Sequence, residues 1–134
     1  MKNIKAIFID LDGTLVGHDG IVSKETVDKL HELIGRGIKI VISTGRNYTQ
    51  ARKITKDIKG LWYITNNGAY VVDDNNILLF SKALEKDKFL KFIVEALGFK
   101  GLNIFVQNHE KIVTNSTAWG RFKLAFNKDF HKKI

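Results

Sequence analysis

The chain has 134 residues, a formal net charge of +8, 44% apolar and 27% charged residues, and neither cysteine nor proline. That balance suits a folded domain hiding roughly two thirds of the surface its unfolded chain exposes, and excludes disordered and collagen-like chains. Without cysteine there are no thiolate zinc sites, dithiol redox chemistry or disulfide scaffold.

The charge is uneven, since residues 81–134 hold 11 Lys+Arg against 5 Asp+Glu and so carry +6 of the +8. Scattered lysines on a solvated face account for this better than a nucleic-acid surface. Met1-Lys2-Asn3-Ile4-Lys5 opens without the apolar core of a signal peptide, and no long apolar run follows. A cytoplasmic protein without a membrane partner is expected.

Ile4 to Ile9 is a nearly unbroken apolar run, the pattern of a parallel strand covered on both faces. A helix fits Lys24 to Arg36, capped by Ser23, with Val27, Leu30 and Ile34 on one side and Gly35 and Gly37 as its stop. Ile38 to Ile42 reads as a second strand, Tyr48 to Ile58 as a helix, and Leu61 to Thr65 as a third strand. Strand, helix, strand, helix, strand implies a parallel α/β core with right-handed crossovers, over about residues 1–80.

The period then changes. Tyr70 to Val72 and Ile77 to Phe80 read as a hairpin about Asp73-Asp74-Asn75-Asn76. Glu85 to Leu97 reads as a helix with Phe89, Phe92, Ile93, Ala96 and Leu97 inward and Gly98 as its stop. Leu102 to Gln107 and Lys111 to Thr114 read as strands about Asn108-His109, and a last helix from about Thr117 lines up Trp119, Phe122, Phe126 and Phe130. Residues 81–134 thus read as the start of an α+β module.

In an open parallel sheet, reactive groups collect at the carboxyl ends of the strands. Three polar clusters fall there: Asp10 to Leu15, Ser43 to Arg46, and Thr65 to Ala69. Two carboxylates at i and i+2 past a buried strand, Asp10 and Asp12, repel each other unless a cation lies between them, and Mg²⁺ prefers hard oxygen ligands. Such a carboxylate can attack phosphorus while a second carboxyl handles the leaving-group proton. Thr44, with its hydroxyl and neighbouring N–H groups at a strand-to-helix junction, suits a phosphoryl oxygen. Arg46 suits a bidentate phosphate clamp or a solvent-exposed helix start in equal measure. Asn67-Gly68 alone is a hairpin turn, and His18, His31, His109 and His131 have no metal or triad spacing.

Phe8-Ile9-Asp10-Leu11-Asp12-Gly13-Thr14-Leu15 resembles motif I of the haloacid dehalogenase superfamily. Val41-Ile42-Ser43-Thr44-Gly45-Arg46 is similar to its motif II, and Ile64-Thr65-Asn66-Asn67-Gly68-Ala69 to the Asn-Gly-Ala segment of Cof-like phosphatases. The resemblance covers about residues 4–114. It implies a Rossmann-like core and a type II cap, here partial, and Mg²⁺-dependent hydrolysis of a small phosphorylated metabolite. Asp10 would be nucleophile and metal ligand. Asp12 would be general acid/base and a ligand through its carbonyl. Thr44 and Gly45 would bind phosphate, with Arg46 and Asn67 lining the same pocket.

Two parts of that pattern have no counterpart: a phosphate-neutralising lysine and a Gly-Asp-x-x-x-Asp-type acidic loop. The chain therefore reads as the N-terminal portion of such an enzyme, truncated before them, or else as a regulatory phosphate-binding module without hydrolase activity. In that fold later strands flank the first, so the strand before Asp10 is expected at a sheet edge, completed by a partner or a swapped copy.

Overall fold

A computed structural model describes residues 4–17 and 19–115. The helix expected from Thr117, with Trp119 and Phe122, the basic residues Arg121 to Lys133, and His18 and His131, lie outside these residues. The chain divides into two compact units, Met1–Ala83 and Leu84–Ile134.

The first unit is built on one mixed sheet in the order β1 (Ala6–Ile9), β2 (Lys39–Ser43), β3 (Leu61–Thr65), β4 (Tyr70–Val72), β5 (Leu78–Ser81). β1, β2 and β3 run parallel, with Ile9 opposite Ile42 and Ser43 opposite Ile64. The chain therefore leaves all three at one edge of the sheet, as expected for a Rossmann-like core. β4 and β5 join the same sheet antiparallel, and a bulge between Val71 and Val72 shifts their register. Among the described residues β1 is an edge strand, and its Phe8 is exposed.

The crossover helices are α1 (Lys24–Gly35) and α2 (Tyr48–Ile54). Ser23 Oγ accepts the Thr26 N–H at the start of α1. At its end Gly37, at φ +81°, donates its N–H to Ile34 O while Ile38 N–H reaches Leu33 O, so Gly37 makes the left-handed stop. α2 is one turn shorter than its sequence predicts. At its C-cap, Thr55 Oγ1 lies 3.0 Å from Ala51 O and 2.7 Å from the buried Tyr63 hydroxyl, tying the end of the helix to β3. Ile58 is still buried, delivered to the core by the turn after Thr55. That core joins Leu11, Leu30, Ile40, Ile42, Ala51 and Tyr63 with their neighbours.

The second unit contains α3 (Lys86–Leu97) and an antiparallel pair, β6 (Phe105–Gln107) and β7 (Ile112–Thr114). Phe89, Ile93 and Ala96 form the more buried stripe of α3, whereas Phe92 and Leu97, expected inward, are exposed. β6 is shorter than expected because Asn115 takes over the backbone before it, its Oδ1 accepting the Ile104 N–H and its Nδ2 donating to Leu102 O. No helix among the described residues is long and apolar enough to cross a membrane.

Candidate active site

The polar break after β1 winds about one carbonyl. Leu11 O accepts the N–H groups of Thr14, Leu15 and Val16 at 3.3, 3.1 and 2.9 Å, and Gly13 N–H reaches back to Val16 O at 3.0 Å. Gly13 turns at φ +75°, a conformation L side chains rarely adopt. The buried Leu11 and Val16 anchor this loop while Asp10 and Asp12 stay exposed. Asp10 Oδ1 accepts the Leu11 N–H at 2.8 Å.

Asp12 meets Arg46 across the sheet edge. Arg46 Nε lies 2.8 Å from Oδ2 and Nη2 lies 2.6 Å from Oδ1, a fork-to-fork pair. The bonds from Arg46 hold the Asp12 carboxyl below the usual carboxylate range, partial burial opposes them, and the Arg46 charge adds to the lowering. Arg46 is correspondingly held more firmly protonated.

The loop after β2 is pinned to the loop after β3. Thr44 is buried, its N–H donates to Ile64 O at 3.0 Å, and its Oγ1 accepts the Arg46 N–H at 3.2 Å. Arg46 O accepts the Asn66 N–H at 2.9 Å. Asn66 and Asn67 both sit in the left-handed region, at φ +53° and +54°. This turn lays the Asn67 carboxamide over Gly45, where a Cβ would come within 2.8 Å of Asn67 Oδ1. Gly45 is thus required by a close approach.

Of the sequence-predicted residues, Asp12 and Arg46 touch, Thr44 and Arg46 share a hydrogen bond, and Gly45 packs on Asn67. Asp10 stands at the same edge but bonds its own loop. Two contributors are missing from the sequence reading. Asn66 ties the two loops together, and Asn47, fully buried, caps α2 by accepting the Gln50 N–H at 2.8 Å. An asparagine directly before a helical period is a signal that could have revealed the second.

Among the described residues no three His, Cys, Asp or Glu side chains cluster to hold a metal. The Asp12 carboxylate is taken by Arg46, which leaves the Asp10 carboxylate as the charged oxygen donor of this loop. A carboxylate oxygen is the hard donor type Mg²⁺ takes, with waters and substrate oxygens completing its shell.

The chain belongs to the family of haloacid dehalogenase-like hydrolases, whose sequence profile matches residues 7–134. It is 36% identical over 86 residues to a 5-amino-6-(5-phospho-D-ribitylamino)uracil phosphatase of Bacillus subtilis, covering 63% of this chain and 34% of that protein. It is 34% identical over 87 residues to the phosphatase YwpJ of the same organism, covering 63% of this chain and 30% of that one. A solved haloacid dehalogenase-like hydrolase from B. subtilis superposes with a TM-score of 0.78 at 28% identity, over 90% of this chain and 42% of its own. The chain spans less than half the length of each of these relatives.

Proposed function

We propose that this chain carries the nucleophile and phosphate-binding portion of a Mg²⁺-dependent phosphomonoester hydrolase that acts through an aspartyl-phosphate. The observation supporting this most is the meeting of the 10–12, 44–46 and 66–67 loops at the carboxyl edge of three adjacent strands, tied by Arg46 to Asp12 and to Asn66. In this reading an Asp10 carboxylate oxygen attacks phosphorus and the P–O bond to the alcohol breaks. Asp12 gives the departing alkoxide its proton, then takes one from the water that attacks the acyl-phosphate, releasing phosphate and restoring Asp10.

Thr44 Oγ1, which accepts the Arg46 N–H and keeps its own hydrogen to donate, holds a phosphoryl oxygen beside Gly45. With Arg46 upon it Asp12 is ionised, the form that accepts the water's proton. The first step needs it protonated, so Arg46 must let go, and a substrate phosphate is the anion whose geometry competes for the same fork. Mg²⁺, held by the Asp10 carboxylate and the Asp12 carbonyl, would neutralise charge between carboxylate and phosphate.

The substrate class is a small phosphorylated metabolite in the cytoplasm, and residues 81–134 begin the cap that would select it. The missing lysine and acidic loop, and the strands that would pair with β1, are assigned to sequence the relatives carry beyond this match or to a partner or swapped copy. Calorimetric titration with Mg²⁺ and inorganic phosphate, followed by an assay of p-nitrophenyl phosphate hydrolysis, tests the reading. Binding of both with turnover supports it, and binding without turnover in a chain extended to its relatives' length would favour the regulatory module instead.

A further inference from the structure

Asn67 is the one asparagine of this chain that glycine follows. In that pairing the glycine's backbone nitrogen, with no Cβ beside it, can attack the asparagine carboxamide and expel its nitrogen as ammonia. Both residues are exposed, and nothing lies within 4 Å of the place a Gly68 Cβ would take. An intramolecular attack runs only when the reacting atoms are brought together. Here the fold keeps them apart. Asn67 sits at φ +54° and ψ +39°, which turns the Gly68 nitrogen nearly anti to the Asn67 Cβ, so ring closure requires ψ to swing through almost half a turn.

Hydrogen bonds on both sides of the pair resist that swing. Arg46 O accepts the Asn66 N–H at 2.9 Å, Asn66 O accepts the Ala69 N–H at 3.2 Å, and Ala69 O accepts the Lys82 N–H at 2.9 Å. The Asn67 carboxamide itself is seated over Gly45. We infer that Asn67-Gly68 is a deamidation site, held in check by the folded loop and released when that loop opens. Gly68 N forms a bond to Asn67 Cγ, the Cγ–Nδ2 bond breaks, and ammonia leaves with the former amide proton of Gly68. Water then opens the cyclic imide to aspartate or isoaspartate. The product sets a carboxylate where a carboxamide lay over Gly45, on the edge that already holds Asp10 and Asp12, and like charge there should weaken anion binding. That last consequence rests on the phosphate-binding reading above, whereas the chemistry at Asn67 does not.

Incubating the full chain at neutral pH, folded and in unfolding urea, with the new acid located by peptide mass mapping, tests the inference. In urea Asn67 should convert before any other asparagine, and Gly68→Ala should slow it by about tenfold or more, because a Cβ then hinders the attacking nitrogen. In the folded chain the same conversion should be slower by about tenfold or more. Gly45→Ala, shown by circular dichroism to be folded, should speed it by unseating the carboxamide. Equal rates with and without urea overturn the inference, as does earlier conversion of another asparagine, or a folded Gly45→Ala chain that reacts no faster. Calorimetric titration with inorganic phosphate reads the consequence separately, and Asn67→Asp should bind it about tenfold more weakly than the wild type. A wild type that binds no phosphate refutes the phosphate reading and leaves the deamidation rates to decide the site. Equal affinities in the two proteins refute the charge effect.

Discussion

Arg46 grips both carboxylate oxygens of Asp12 at 2.8 and 2.6 Å, although 34 residues separate them in the chain. The pair exists because β1 and β2 are parallel neighbours in register, so the loops that follow them leave the sheet side by side.

This pairing has a pH signature. A carboxyl whose folded-state pKa is depressed contributes stability above its unfolded pKa and loses it as pH falls through the folded value. Asp12 is such a group, with the Arg46 hydrogen bonds as the largest cause. Both side chains are more than a third exposed, at 39% for Arg46 and 55% for Asp12, so solvent screening keeps the contribution small. Arg46→Met should move the Asp12 carboxyl up to the ordinary range, read as a shifted carboxyl ¹³C titration by NMR. An unmoved titration would mean that the pair does not persist in solution.

Gly45 and Asn67 should be energetically coupled. Gly45→Ala forces the Asn67 carboxamide off its seat, because the new Cβ would approach Oδ1 to 2.8 Å, and should cost about 1–2 kcal/mol in urea unfolding. Asn67→Gly keeps the left-handed backbone and removes the obstruction. In that background Gly45→Ala should cost clearly less, and a double-mutant cycle with no coupling term would refute the contact.

Tyr63→Phe removes the buried hydroxyl that shares a 2.7 Å bond with Thr55. Thr55 keeps its bond to Ala51 O, so no polar group is left stranded. The expected loss is about 0.5–1.5 kcal/mol in denaturant unfolding. Tyr63→Ala, which also empties the space against Tyr48, should cost about 3–5 kcal/mol. Equal losses for the two variants would show that ring packing contributes nothing.

Much of this was legible in the sequence because the signals are local. Apolar runs marked β1, β2 and β3, Ser23 marked the start of α1, and abrupt polar breaks marked the loops at the strand ends. What local patterns missed depends on distant partners. α2 stops at Ile54, where its C-cap Thr55 bonds Tyr63, a residue on β3. Phe92 and Leu97 share the helical spacing of an inward stripe yet flank the one that is more buried. Within the site, residue types and positions could be read from the chain. The commitment of Asp12 to Arg46, and the work of Asn66 as a tie between loops, required knowing which strands are neighbours.

The proposed role of Asp10 is that of nucleophile in a phosphomonoester hydrolase. Its most direct test is Mg²⁺-dependent hydrolysis of p-nitrophenyl phosphate by this chain and by the chain extended to its relatives' length, each beside its Asp10→Asn variant. The extended protein should release phosphate, and Asp10→Asn should lower kcat by roughly a thousandfold or more with the fold intact. An inert extended protein, or an Asp10→Asn variant that turns over at the wild-type rate, would contradict it.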